Sequence, residues 1–136
     1  MLLLDASVLL AAEDPDDNHH ASAAVLMVGD EPLATLDLAY YESVNVAMRA
    51  WRDPAAAGRL LRRIAAIADD AGIVRVDEAI LRRATAVADE HGISVYGAAY
   101  VAAARSRDCA LVSCDLRDLV SRRLAILPGD VGSSMS

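Results

Sequence analysis

The chain has no lysine: all 13 of its basic residues are arginine. That removes phosphate-binding loops that end in a lysine. Phenylalanine is absent and aromatic residues make up only 4%, so a core must be built from Leu, Val, Ile and Ala. The two cysteines, Cys109 and Cys114, are too few for a disulfide framework or a four-ligand zinc site, and they read as small buried thiols near a strand. No apolar run approaches the roughly 20 residues of a membrane-crossing helix. The opening MLLLD reaches a carboxylate at once and does not read as a signal peptide. A cytoplasmic protein without a membrane partner is the expectation. A net charge of −7 argues against coating nucleic acid by bulk positive charge, and leaves room for a local basic rim.

What is present alternates between short apolar runs and amphipathic stretches. MLLL, EPLATL, GIVRV, DCALVSCD and LAIL read as strands. Between them, HASAAVLMV stops at Gly29, a stretch opened by Asp53-Pro54 runs through LLRRIAAIADD, and EAILRRATAVADEH is capped by Asp77 and ended by Gly92. LDLAYYESVNVAMRAW places Leu38, Tyr41, Val44 and Met48 at helical spacing, which predicts a packed face. At 136 residues this is one domain, expected over residues 1–128, with a loose polar tail over 129–136. Alternating strands and helices predict an α/β fold, a parallel sheet with helices on both faces. Ligands in such sheets sit beyond the carboxyl ends of the strands, where Asp5 and Asp115 both emerge.

Taken singly, each carboxylate has a plain structural use. Asp5 and Asp115 can cap the helices that follow them, and Glu42, inside AYYESVNVA, can stand on a solvated face. Together, two strand-end Asp residues and a helical Glu can converge on one cleft. Acids placed together repel unless a cation neutralises them. Oxygen-only ligands suit Mg²⁺ or Mn²⁺.

One helix start is anomalous. In SVYGAAYVAAA, Gly97 sits in the first turn. Glycine costs about 1 kcal/mol against alanine in a helix, and a first turn favours a carboxylate.

Four phrases, LLLDASVLL, YYESVNVAMR, SVYGAAYVAAA and CALVSCDLRDL, stand in register over residues 1–127. In this the chain resembles the PIN-domain ribonucleases of the VapC toxin type. The resemblance implies a three-layer α/β/α fold with a mainly parallel sheet of four to five strands. It implies metal-holding acids at Asp5, Glu42 and Asp115, with Ser7 and Ser113 beside them to place waters or a ligand. The third phrase normally reads Tyr-Asp-Ala-Ala-Tyr, so Gly97 stands where the family has a further acid. Natural loss of that acid, or a substitution that silences a toxic enzyme, would each leave this pattern. The implied activity is Mg²⁺- or Mn²⁺-dependent hydrolysis of RNA to 5′-phosphate and 3′-hydroxyl ends, tRNA and rRNA being the expected targets, weakened or lost in this chain. The implied partners are RNA, a VapB-like antitoxin seated in an apolar groove between the early helices, and a second copy of the chain.

The alternative is a non-catalytic module of the same fold that binds antitoxin or RNA. Asn45, three residues after Glu42, and Asp118, one turn beyond Asp115, are auxiliary candidates. Arg49 and Arg52 are candidate RNA contacts within a group that includes Arg59, Arg62 and Arg63, against the plainer reading of surface ion pairing. Other α/β enzymes are set aside: a phosphoacceptor receiver domain needs a late lysine, and a haloacid-dehalogenase-type phosphatase needs an Asp where Ser7 stands.

Overall fold

The computed structural model describes residues 1–132. Its elements follow the expected alternation: β1 (Leu2–Leu4), α1 (Ala6–Glu13), α2 (His20–Val28), β2 (Leu33–Leu36), α3 (Leu38–Arg49), α4 (Pro54–Ala68), β3 (Gly72–Val74), α5 (Glu78–His91), α6 (Val95–Ser106) and β4 (Ala110–Val112). The four strands are parallel in the order β3-β2-β1-β4. Leu4 pairs with Thr35 on one side and Val112 on the other. LAIL contributes only a parallel bridge from Ile126 to Val112.

The topology positions the site. The chain leaves β1 and places β2 and β3 on one side, then crosses to β4 on the other. β1 is therefore the strand beside which connections diverge, and a crevice opens at its carboxyl end. Asp5 is the first residue beyond it.

Local chemistry explains the helix ends. Asp5, Asp53, Asp77 and Ser94 cap α1, α4, α5 and α6, each accepting backbone N–H bonds from the first turn. Gly92 ends α5 at φ +65°, a left-handed position that glycine takes without strain. Leu3, Leu4, Leu36 and Val112 of the strands, with Leu9, Leu60, Ile64 and Leu119, form the fully buried core. Helix α6 is buried along the whole run Ala98–Ala104. Its alanines let it lie close to its neighbours, so a helix with little polar surface becomes central rather than peripheral.

Three expectations need correction. In α3 the buried residues are Ala39, Ser43 and Ala47, while Tyr41 and Met48 are exposed. Small residues pack inward because α3 lies close against α1 and α4, leaving the large side chains outside. Cys109 and Cys114 are free and only partly buried. The helix expected after Asp115 is a single wide turn, Leu116–Val120. Past the expected boundary near 128, Pro128–Asp130 forms a short 3-10 turn against α2; residues 133–136 of the expected tail lie outside the described residues.

Candidate functional site

A cleft of about 270 Å³ opens at the carboxyl edge of the sheet, and its walls include Asp5, Glu42, Gly97, Tyr100, Asp115 and Leu119. Four segments far apart in sequence meet here: the exit of β1, the middle of α3, the first turns of α6 and the exit of β4.

Asp5 is the deepest acid. Its Oδ1 accepts from the backbone N–H and hydroxyl of Ser7 at 3.0 and 2.5 Å, and its Oδ2 accepts from the Ser113 hydroxyl at 2.5 Å. Those hydroxyls also accept: Ser7 Oγ from the Cys114 N–H at 2.8 Å, Ser113 Oγ from the Asp115 N–H at 3.0 Å. Two serines thus tie the β1 exit to the β4 exit. Both hydroxyls donate to Asp5 and orient it. Desolvation pushes the Asp5 carboxyl up to about 6, even against the hydrogen bonds from Ser113 and Ser7 that favour its charged form.

Glu42 is half-buried, and burial raises its pKa. Its Oε1 accepts from the Tyr100 hydroxyl at 2.8 Å. Burial, together with the Glu42 charge, holds the Tyr100 phenol protonated far above its ordinary range, so it remains a donor. Asp115 caps the wide turn, accepting from the Asp118 N–H at 3.0 Å.

The expected trio lines one cleft but does not close into a cluster. Among the described residues, no three His, Cys, Asp or Glu side chains stand together as a metal-binding group. Each carboxylate is drawn to its own donor: Asp5 to the serines, Glu42 to Tyr100, Asp115 to the Asp118 N–H. Anions that share a cleft separate when nothing positive lies between them. No arginine or histidine forms an ion pair with any of the three among the described residues. Hard oxygen donors with no balancing charge from the chain fit Mg²⁺ or Mn²⁺, ions that keep several waters and need few protein ligands.

Gly97 lies in the first turn of α6, where its N–H donates to the Ser94 hydroxyl at 3.2 Å. A β-carbon built there would meet Leu119 Cδ2 at 3.5 Å and Ser94 Oγ at 3.7 Å, ordinary contacts. Its backbone is helical, so neither conformation nor space requires glycine. A larger side chain at 97 would enter the cleft wall.

The remaining candidates stand apart. Asn45, Arg49 and Arg52 are exposed and outside the cleft wall. Asp118 acts through its backbone N–H, and its side chain lies 4.0 Å from the Arg117 guanidinium. Arg59 and Arg63 pair with Glu13, so ion pairing describes those two. Tyr100 is the residue that sequence reading left without a role. Its link to Glu42 spans 58 positions; the available signal was that it falls one turn after Gly97, on the same side of α6.

A family model described as PIN domain matches residues 2–125. No curated protein matches. Among solved structures, a toxin–antitoxin complex from Klebsiella pneumoniae is similar at TM-score 0.73 and 16% identity, over 94% of this chain and 98% of that one. A Pyrobaculum aerophilum protein, PAE2754, is similar at TM-score 0.69 and 28% identity, over 96% and 90%. A Mycobacterium tuberculosis VapC toxin that cleaves the sarcin–ricin loop is similar at TM-score 0.68 and 18% identity, over 86% and 92%.

Proposed function

The chain belongs to the PIN-domain family, and from that premise we propose that it is the toxin of a toxin–antitoxin pair, a divalent-metal-dependent endoribonuclease weakened or silenced at position 97. One observation carries the reading: Asp5, Glu42, Asp115 and Gly97 line a single cleft, and Gly97 occupies a helical first turn where a β-carbon makes only ordinary contacts. The toxin–antitoxin and RNA-cleaving neighbours support the biological setting.

Asp5, Glu42 and Asp115, all in the wall of this cleft, would hold the ion. Bound there, Mg²⁺ or Mn²⁺ lowers the pKa of water and balances charge on a phosphodiester. Ser7 and Ser113 hold Asp5 in one orientation. Tyr100 occupies one Glu42 oxygen and leaves the other free. Hydrolysis by water needs no nucleophilic side chain and leaves 5′-phosphate and 3′-hydroxyl ends. With glycine at 97 the cleft lacks the group that would draw the separated acids toward a common ion.

An antitoxin and a second copy of the chain are the proposed protein partners. Val25 and Val28 stand 67% and 85% exposed on α2, apolar surface on an early helix of the kind a partner peptide would cover. No helix among the described residues is long and apolar enough to cross a membrane.

The second reading, a non-catalytic module that binds antitoxin or RNA, is favoured by the same glycine, which leaves the cleft without an acid at position 97. The test compares this chain with its Gly97→Asp variant on tRNA and other structured RNAs, with Mg²⁺, with Mn²⁺ and with EDTA. Cleavage by Gly97→Asp at least 10- to 100-fold above the parent, lost in EDTA, is expected. Cleavage by neither form favours the binding module.

A further inference from the structure

The proposed substrate is a polyanion, and the proposed active cleft is walled by carboxylates on a chain of net charge −7. Affinity for RNA must come from positive charge gathered elsewhere, because phosphate contacts dominate nucleic-acid binding. At the open β3 edge, between the start of α5 and the end of α6, lies a second cleft of about 460 Å³, with Arg75, Arg83 and Arg107 in its wall. All three are exposed. None has a carboxylate within ion-pair distance among the described residues, unlike Arg59, Arg63, Arg82 and Arg117. The one acid lining this cleft, Asp77, uses its carboxylate to cap α5, accepting from the Ile80 N–H at 2.9 Å.

Three arginines against one aspartate give this concavity a lining of net positive charge, which focuses positive potential there. Their planar donor forks suit phosphate oxygens. Three separate segments of the chain supply them, so no single stretch of sequence is basic.

We propose that the Arg75–Arg83–Arg107 cleft is an exosite for the phosphodiester backbone of RNA, holding substrate away from the reacting bond. The assignment of RNA rests on the nuclease reading above; the convergence of the arginines does not. It differs from the sequence expectation, which put RNA contacts at Arg49 and Arg52.

The chain as it stands offers a direct test, since binding can be read without turnover. Fluorescein-labelled tRNA is titrated with the unaltered chain, with the triple variant Arg75→Gln/Arg83→Gln/Arg107→Gln, and with a charge-matched triple, Arg49→Gln/Arg52→Gln/Arg62→Gln, in EDTA at several KCl concentrations. Anisotropy gives affinity, and circular dichroism melts check folding. The cleft triple should lose about tenfold or more in affinity. It should also flatten the slope of log K against log salt by about 2, at roughly 0.7 to 0.9 per phosphate contact. The matched triple should change both much less. Equal losses in the two triples, a loss confined to the matched triple, or no tRNA binding by the unaltered chain overturns the exosite. Cleavage by Gly97→Asp is read in parallel on the same tRNA. Cleavage with a silent cleft triple rejects the exosite and keeps the nuclease. No cleavage, with binding still governed by the cleft triple, rejects the nuclease and keeps an RNA-binding site.

Discussion

Two buried carboxylates in this molecule have opposite fates. Glu13, at the end of α1, has a side chain only 7% exposed and reaches both Arg59 and Arg63 of α4. Burial works to raise its pKa, but the two guanidinium groups outweigh it and hold the carboxyl below its usual value. Asp5, at the end of β1, is 6% exposed. Desolvation drives it up to about 6, since only hydroxyl and N–H donors offset its charge. The first acid is balanced within the chain and clamps two helices. The second carries a charge that the fold supports geometrically and leaves electrically open. On the proposed function, that difference separates a structural acid from one placed for an external cation.

The comparison can be broken at either end. The larger stability effect belongs to Asp5→Asn. Removing a charge whose pKa rises from 3.8 to about 6 on folding should raise stability at pH 7.5 by about 2 to 3 kcal/mol, at 1.36 kcal/mol per unit. The sign follows from proton binding. Between about pH 4 and 6 the folded state holds more protons at Asp5 than the unfolded state, so the parent gains stability as pH falls through that window, and the advantage of the variant vanishes near pH 4. Denaturant unfolding in metal-free buffer at pH 4 and 7.5 checks this, and a destabilised variant at pH 7.5 would contradict it. Glu13→Gln should do the reverse, costing about 1 to 2 kcal/mol near neutral pH, reduced from the full value of a buried pair because both arginines are partly exposed. The Glu13 contribution is present above the unfolded glutamate pKa and fades as pH falls through its lowered folded value. Melts of the variant and parent should therefore converge in acid.

The smallest effect sharpens the active end. Tyr100→Phe keeps the buried ring and deletes the donor to Glu42. In the Gly97→Asp background it should weaken Mn²⁺ affinity and cleavage by about tenfold, the range for a residue that orients a ligand. The melting temperature should change little. A large loss of stability with unchanged metal affinity would make Tyr100 a packing residue only.

Much of this was legible in the sequence because it is local. Asp53-Pro54, Asp77 and Gly92 announce helix ends through capping chemistry that needs no tertiary context. MLLL followed by Asp5, and CALVSC followed by Asp115, announce acids at a sheet edge by strand length alone. Glu42 and the significance of Gly97 came from pattern resemblance, and the structure supplies the physical reason to regard them together: one cleft wall. What was not legible depends on distant partners. The bonds from Ser113 to Asp5 and from Tyr100 to Glu42 span 108 and 58 positions and are set by three-dimensional packing, so they could not be read ahead. The exposed side of α3 was misassigned because Ala39 and Ala47 pack more closely than Tyr41 and Met48 can. The cleft arginines, at 75, 83 and 107, share no periodicity; the end of β3, α5 and the residue after α6 bring them together.

The most direct test of the central claim, that an acidic site awaits a cation and is incomplete at position 97, is a calorimetric Mn²⁺ titration at pH 7.5 of this chain, its Gly97→Asp variant, and Gly97→Asp combined with Asp5→Asn. The account predicts binding at least about tenfold tighter in Gly97→Asp than in the parent, and its loss when Asp5 is also changed. Equal affinity in the parent and Gly97→Asp, or binding that survives Asp5→Asn, would contradict it.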